Sequence, residues 1–234
     1  MSMQQRMEEV ERRIQAACSR SGRSREDVNV IAVTKYVSLE TTAEAYRSGL
    51  NHLGENRVQD AADKWRALSG GGSEEGPVWH FIGSLQTNKV KDVIGKFTYI
   101  HSLDRLPLAE EIQKRAARLN LTVPCFIQVN VSGEQSKHGL SPNELSPFVD
   151  ALKAFPSIRP VGLMTMAPFE SDPERTRSVF RALRTLRDGQ LERQGAGGSI
   201  RHLSMGMSND FEIAIEEGAT WIRLGTILVG KEEE

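Results

Sequence analysis

The chain has little cysteine, no excess of charge of either sign, and no long hydrophobic run. Its 234 residues include two cysteines, Cys18 and Cys125, far apart and without a CxxC partner. That arithmetic excludes zinc-ribbon and thioredoxin-like readings. Cys18 falls at helical spacing and Cys125 in an apolar run, so both read as buried thiols. Lys+Arg number 30 against 31 Asp+Glu, a formal net charge of −1. Such balance argues against a protein whose affinity comes from coating nucleic-acid phosphates. No segment approaches the roughly 20 apolar residues of a membrane span. The amino-terminal stretch MSMQQRMEEVERRIQ is polar and amphipathic, with no signal-type apolar segment. The expectation is a cytoplasmic protein with neither a nucleic-acid nor a membrane partner.

What is present is globular. Hydrophobic residues make up 38% and charged residues 26%, values that exclude a wholly disordered chain. A chain of this length buries roughly 70% of its unfolded surface, enough to hold a core without disulfides or a structural metal.

Met3, Met7, Val10, Ile14 and Ala17 form one helical stripe, closed by Ser21-Gly22. Thereafter short β-branched runs alternate with helix-type stretches. The runs fall at 28–34, 52–53, 78–82, 98–101, 123–131, 161–164, 200–203 and 221–224. The helices fall at about 40–49, 56–68, 86–94, 104–119, 142–154, 173–193 and 209–217, with a weak one after 225. Eight strands, each followed by a helix, is the count of a closed (β/α)8 TIM barrel with an extra N-terminal helix. An open doubly wound sheet is the alternative if the short run at His52-Leu53 is no strand. No linker divides the chain, so 1–234 reads as a single domain, with Ser69–Gly76 as a loop.

Active sites of such barrels lie where strands end and βα loops begin. Lys35 ends the first run, where partial desolvation favours a neutral amine suited to a Schiff base. After the seventh and eighth strands come Ser204-Met-Gly-Met-Ser208 and Arg223-Leu-Gly-Thr226. Ser204, Gly206, Gly225 and Thr226 would free backbone N–H groups and hydroxyls for a phosphate at the recurrent position in these barrels. The ordinary alternative makes Ser208 an N-cap and Gly225 a tight turn. Arg223 adds a cation that keeps a facing ring nitrogen unprotonated. An amine, a phosphate cradle and an arginine together describe a site for pyridoxal 5′-phosphate (PLP).

The sequence resembles the YggS/PROSC family of pyridoxal phosphate homeostasis proteins. The motifs that carry the resemblance run in order from about residue 28 to 230. They are Ala32-Val-Thr-Lys35, Gly54-Glu-Asn-Arg57, Trp79-His-Phe-Ile-Gly-Ser-Leu-Gln-Thr-Asn-Lys89, His101-Ser-Leu-Asp104, Gln128-Val-Asn130, Lys137-His-Gly139, Gly162-Leu-Met-Thr-Met166, Leu203–Ser208 and Arg223–Thr226. The resemblance implies a Schiff base on Lys35, and phosphate held by Ser204, Gly225 and Thr226 with the backbone of Met205 and Gly206. It also implies Arg223 at the pyridine nitrogen, as in the similar barrel of alanine racemase, and Asn56 and Met164 against the cofactor.

In fold-type III racemases the second base comes from an additional C-terminal β domain, and the sequence ends at Glu234, soon after the eighth strand. An arginine facing the ring also makes a weak electron sink. The expectation is therefore a PLP carrier that holds the cofactor for apo-enzymes, without efficient amino-acid chemistry, as a monomer or weak homodimer. A weak racemase, lyase or transaminase is the alternative. A third reading is a sugar-phosphate barrel in which Lys35 is structural. The five histidines lack HxH or HExxH spacing and read as packed or satisfied side chains. Arg177, Arg181 and Arg184 read as a solvated basic face, and Lys231–Glu234 as a frayed end.

Overall fold

The computed structural model describes residues 1–69, 76–134, 138–169 and 172–232. Lys137 and most of the glycine-rich loop at 70–76 lie outside the described residues.

Eight strands alternate with helices along the chain. α1 (Met3–Ser21) precedes β1 (Asn29–Val33), α2 (Leu39–Arg47), β2 (His52–Glu55), α3 (Val58–Ser69), β3 (Val78–Phe81) and α4 (Val90–Val93). Next come β4 (Tyr99–Leu103), α5 (Leu106–Arg118), β5 (Val123–Gln128), α6 (Leu145–Leu152) and β6 (Ile158–Met164). α7 (Arg177–Gln194), β7 (His202–Ser204), α8 (Phe211–Glu216), β8 (Trp221–Leu224) and α9 (Thr226–Val229) complete the order. Each strand pairs with the next in parallel, and β1 pairs with β8, Asn29 opposite Trp221, closing the barrel. The short run at His52-Leu53 is a true strand, extended by Gly54 and Glu55 and registered on β3 at all four residues. The open-sheet alternative therefore falls.

The amino-terminal stripe forms α1 as expected. Ser2 and Gln5 exchange hydrogen bonds in a capping box, and Gly22 closes the helix at φ +66°. The helix packs against α8 and α9, with Val10, Ile14 and Ala17 buried. α9 is one turn long, so α1 covers wall that a full eighth helix would shield. Arg6 ties the two elements by donating from Nε to the Leu228 carbonyl at 3.0 Å and from Nη2 to that of Val229 at 3.2 Å.

Two surface expectations change. Arg177, Arg181 and Arg184 do not form a free basic face, because all three pair with Glu217 of the α8 end, a residue 3% exposed. Nor is the carboxyl end loose as far as it is described. Glu232 accepts hydrogen bonds from the N–H at 2.8 Å and the hydroxyl at 2.7 Å of Ser38, the N-cap of α2. Among the described residues no helix is long and apolar enough to cross a membrane. Cys18 and Cys125 are buried free thiols.

Candidate functional site

The barrel interior is filled by side chains in layers. Ile31, Phe126, Met164 and Trp221 form one packed cluster inside it, and His80, His101, Ser204 and Arg223 sit among the buried polar groups. Above these, at the carboxyl ends of the strands, a cavity of about 620 Å³ opens. Lys35, Asn56, Ser208, Arg223, Gly225 and Thr226 contribute to its wall, and the exposed Tyr36 and Phe169 stand at its rim. A larger groove, about 1210 Å³, lies at the opposite end under α1. It receives none of the residues at the carboxyl ends of the strands, so the smaller cavity is the candidate site.

Lys35 lies two residues past β1 and is half-buried. Its Nζ stands 4.8 Å from the Tyr36 ring centroid. The backbone that carries it is pinned from below. Lys64 Nζ donates to the Thr34 carbonyl at 2.6 Å and to Glu55 Oε1 at 2.9 Å. The Thr34 hydroxyl donates to the same Glu55 oxygen at 2.7 Å. Lys64 occupies the inner face of α3 beside Ala61, a position that an apolar pattern would fill. The next residue after Glu55, Asn56, has its Oδ1 buried without a partner among the described residues.

Arg223, 5% exposed, forms the floor. Its Nη1 donates to Ser204 Oγ at 2.7 Å and its Nη2 to the Thr165 carbonyl at 3.1 Å. Burial lowers its pKa to about 10, opposed by the nearby Asp210, so it remains a cation at neutral pH. Asp210 is itself buried, and burial raises its carboxyl above the ordinary range, although its Oδ1 accepts from the Met207 N–H at 2.7 Å. At the far wall the Gly225 N–H donates to Ser208 Oγ at 3.3 Å.

Of the nine residues expected at the site, five line the cavity: Lys35, Asn56, Arg223, Gly225 and Thr226. The other four lie beneath it. Ser204 is fully buried behind Arg223, with His101 on its other side at 2.9 Å. It is the last residue of β7 and points into the barrel, whereas Ser208, four residues on, reaches the cavity. Met205 is buried in the main core. Gly206 is needed for its backbone, since φ is +92° and a Cβ would sit 2.5 Å from that of Ala214. Met164 packs below the floor against Phe126 and Trp221. Position after a strand identifies the right segment, and within it Ser208 rather than Ser204 reaches the cavity.

The architecture is that of the alanine racemase N-terminal domain, whose family model matches residues 6–233. A pyridoxal phosphate homeostasis protein of Aquifex aeolicus is 46% identical over 231 residues, 99% of each chain. The structure of PipY of Synechococcus elongatus with PLP bound is 33% identical, with a TM-score of 0.79, covering 93% of this chain and all of that one (100%). An alanine racemase of Clostridium difficile shares the fold, with a TM-score of 0.73 at 18% identity, over 99% of this chain and 57% of that one. The chain belongs to the family of pyridoxal phosphate homeostasis proteins.

Proposed function

We propose that this chain binds PLP at the carboxyl mouth of the barrel, through a Schiff base on Lys35, and serves as a cytoplasmic carrier for apo-enzymes. One observation carries the reading: a half-buried amine, a buried guanidinium and a Ser208–Gly225–Thr226 wall converge on one cavity of about 620 Å³. That cavity falls within the size range of cofactor sites. The donor set fits PLP. The Ser208 hydroxyl, whose oxygen accepts from the Gly225 N–H and whose proton is left to donate, and the Thr226 hydroxyl supply neutral donors for a phosphate, and Asn56 Oδ1 offers an acceptor without a partner among the described residues.

Bound PLP supplies an aldehyde carbon that condenses with amines. The chain's own residues limit the chemistry open to it. Arg223 only donates, so a ring nitrogen above it stays an unprotonated acceptor and withdraws electrons weakly. That suits holding and handing on the cofactor better than amino-acid chemistry. Buried free thiols at Cys18 and Cys125 suit a reducing compartment.

Absorbance of the protein incubated with PLP, borohydride reduction and peptide mapping test the reading. The expected result is a visible band and a reduced pyridoxyl mass on the peptide containing Lys35. Lys231 also lines the cavity, so mapping must separate the two. A protein that stays colourless, or is labelled elsewhere, refutes the assignment. Saturable amino-acid turnover that disappears in Lys35→Ala would replace the carrier by an enzyme.

A further inference from the structure

Three histidines on neighbouring strands stand in file inside the barrel. His52 opens β2, His80 lies on β3 and His101 on β4. His52 Nδ1 is 3.0 Å from His80 Nε2, and His80 Nδ1 is 2.9 Å from His101 Nε2. His101 Nδ1 is 2.9 Å from Ser204 Oγ, which also receives Arg223 Nη1 at 2.7 Å. The file thus runs from the groove under α1, which His52 borders, to the guanidinium at the floor of the cavity. Burial holds His80 and His101 well below the ordinary histidine range, helped by the adjacent imidazoles and, for His101, by Arg223. Burial lowers His52 as well. All three imidazoles are neutral at pH 7.

A neutral imidazole has one donor and one acceptor nitrogen, so a file of them has a direction. Arg223 sets it. The guanidinium can only donate, so the Ser204 oxygen is its acceptor. The single hydroxyl proton must then go to His101 Nδ1, because a donating His101 would leave that proton with no acceptor among the described residues in a buried place. His101 therefore carries its proton on Nε2 and donates to His80 Nδ1. His80 donates from Nε2 to His52 Nδ1, and His52 keeps its proton on Nε2.

We infer that Ser204 and the His101–His80–His52 file are positioning residues for Arg223, polarised in one direction by it and holding it in turn under the cofactor. The functional half of this rests on the reading that Arg223 faces the ring nitrogen. The two acceptors of the guanidinium, the Ser204 hydroxyl and the Thr165 carbonyl, are both neutral. Among the described residues no carboxylate pairs with it within 4.0 Å, and Asp210 acts on it only from farther away. Its charge is therefore fixed in place without being cancelled by contact, and is directed to whatever lies above.

Histidine 15N–1H correlation spectra of the cofactor-free protein at pH 7 read the tautomers directly. The expected pattern is Nε2–H for His52, His80 and His101, with that single pattern lost at His101 in Arg223→Met. An Nδ1–H tautomer at His101 in the wild type, or no change in Arg223→Met, overturns the inference. The wild-type measurement needs no variant to fold. On the loaded protein, Ser204→Ala, checked for folding by circular dichroism, is expected to shift the PLP absorbance maximum while Lys35 remains labelled. An unshifted spectrum overturns the positioning role. If the wild type takes up no PLP at all, the proposed function fails, while the tautomer spectra still decide the polarity of the file.

Discussion

Lys64 and Glu55 form an ion pair at 2.9 Å in which both side chains are buried, 8% and 0% exposed. The pair also grips the carbonyl and hydroxyl of Thr34, the residue before the proposed anchor. Removing one partner leaves an uncompensated buried charge, a loss of about 3–5 kcal/mol. Lys64→Met is expected to lower the unfolding free energy read from urea titration by that amount and to weaken PLP retention. Adding Glu55→Gln should recover part of the stability, and a double-mutant cycle measures the coupling. Additive losses would show that the pair does not act as a unit.

Ser208 and Ser204 should separate cleanly. If Ser208 meets the phosphate, Ser208→Ala removes a hydrogen bond to a charged group, about 1.5–3 kcal/mol, or roughly tenfold or more in affinity. Titration with PLP should show the loss, and pyridoxal, which lacks the phosphate, should bind the variant as it binds the wild type. Equal losses for both ligands would move the phosphate elsewhere.

The loops after β2 and β3 touch so closely that Gly83 has no room for a side chain. A Cβ there would lie 2.2 Å from the Asn56 carbonyl oxygen and 2.8 Å from its Cα. Gly83→Ala must push Asn56 out of the wall. Overpacking of this kind costs about 1–3 kcal/mol, and thermal melting together with PLP titration should record both effects. An unchanged melting temperature would mean that the two loops separate freely.

Stability should fall on mild acidification. Unfolded histidine titrates near 6.5, while burial keeps His80 and His101 well below that in the folded barrel. Below pH 6.5 the unfolded chain binds more protons than the folded one. Stability complete above 6.5 is thus lost as the pH drops towards the folded values. Two such residues amount to about 2–3 kcal/mol between pH 7.5 and 5.5. Asp210, whose carboxyl is raised by burial, works the other way nearer pH 4. Equal denaturant midpoints at pH 7.5 and 5.5 would show that the histidines accept protons while folded.

The barrel is legible in the sequence because each strand is a short β-branched run followed by a helical period. The second strand is the hardest to read, since only Leu53 is apolar in His52–Glu55. Lys35, Arg223 and the Gly225-Thr226 turn are legible because strand ends point at one mouth. What sequence order hides is contact across strands. His80 and His101 are 21 residues apart, and only the register of β3 on β4 makes them neighbours. Read singly, they are satisfied histidines, which is correct and incomplete. That Ser204 is buried while Ser208 reaches the cavity is hidden too, because a residue at a strand's last position alternates inward or outward, and one step of pleat decides which. The Glu55–Lys64 clamp does leave a sequence signal, a lysine on the apolar face of α3.

The pairing of β1 with β8 also sets a schedule for synthesis. Residues 29–33 emerge long before their second neighbour, 221–224, with the other six strands made in between. At about 5–20 residues per second, the nascent barrel waits roughly ten to forty seconds with that edge unpaired. An open strand edge is a template for association with other chains. While the chain is still being made, α1 likewise lacks the α8 and α9 surfaces it will cover. Chaperone dependence during translation should therefore exceed that of the same chain refolded whole from denaturant.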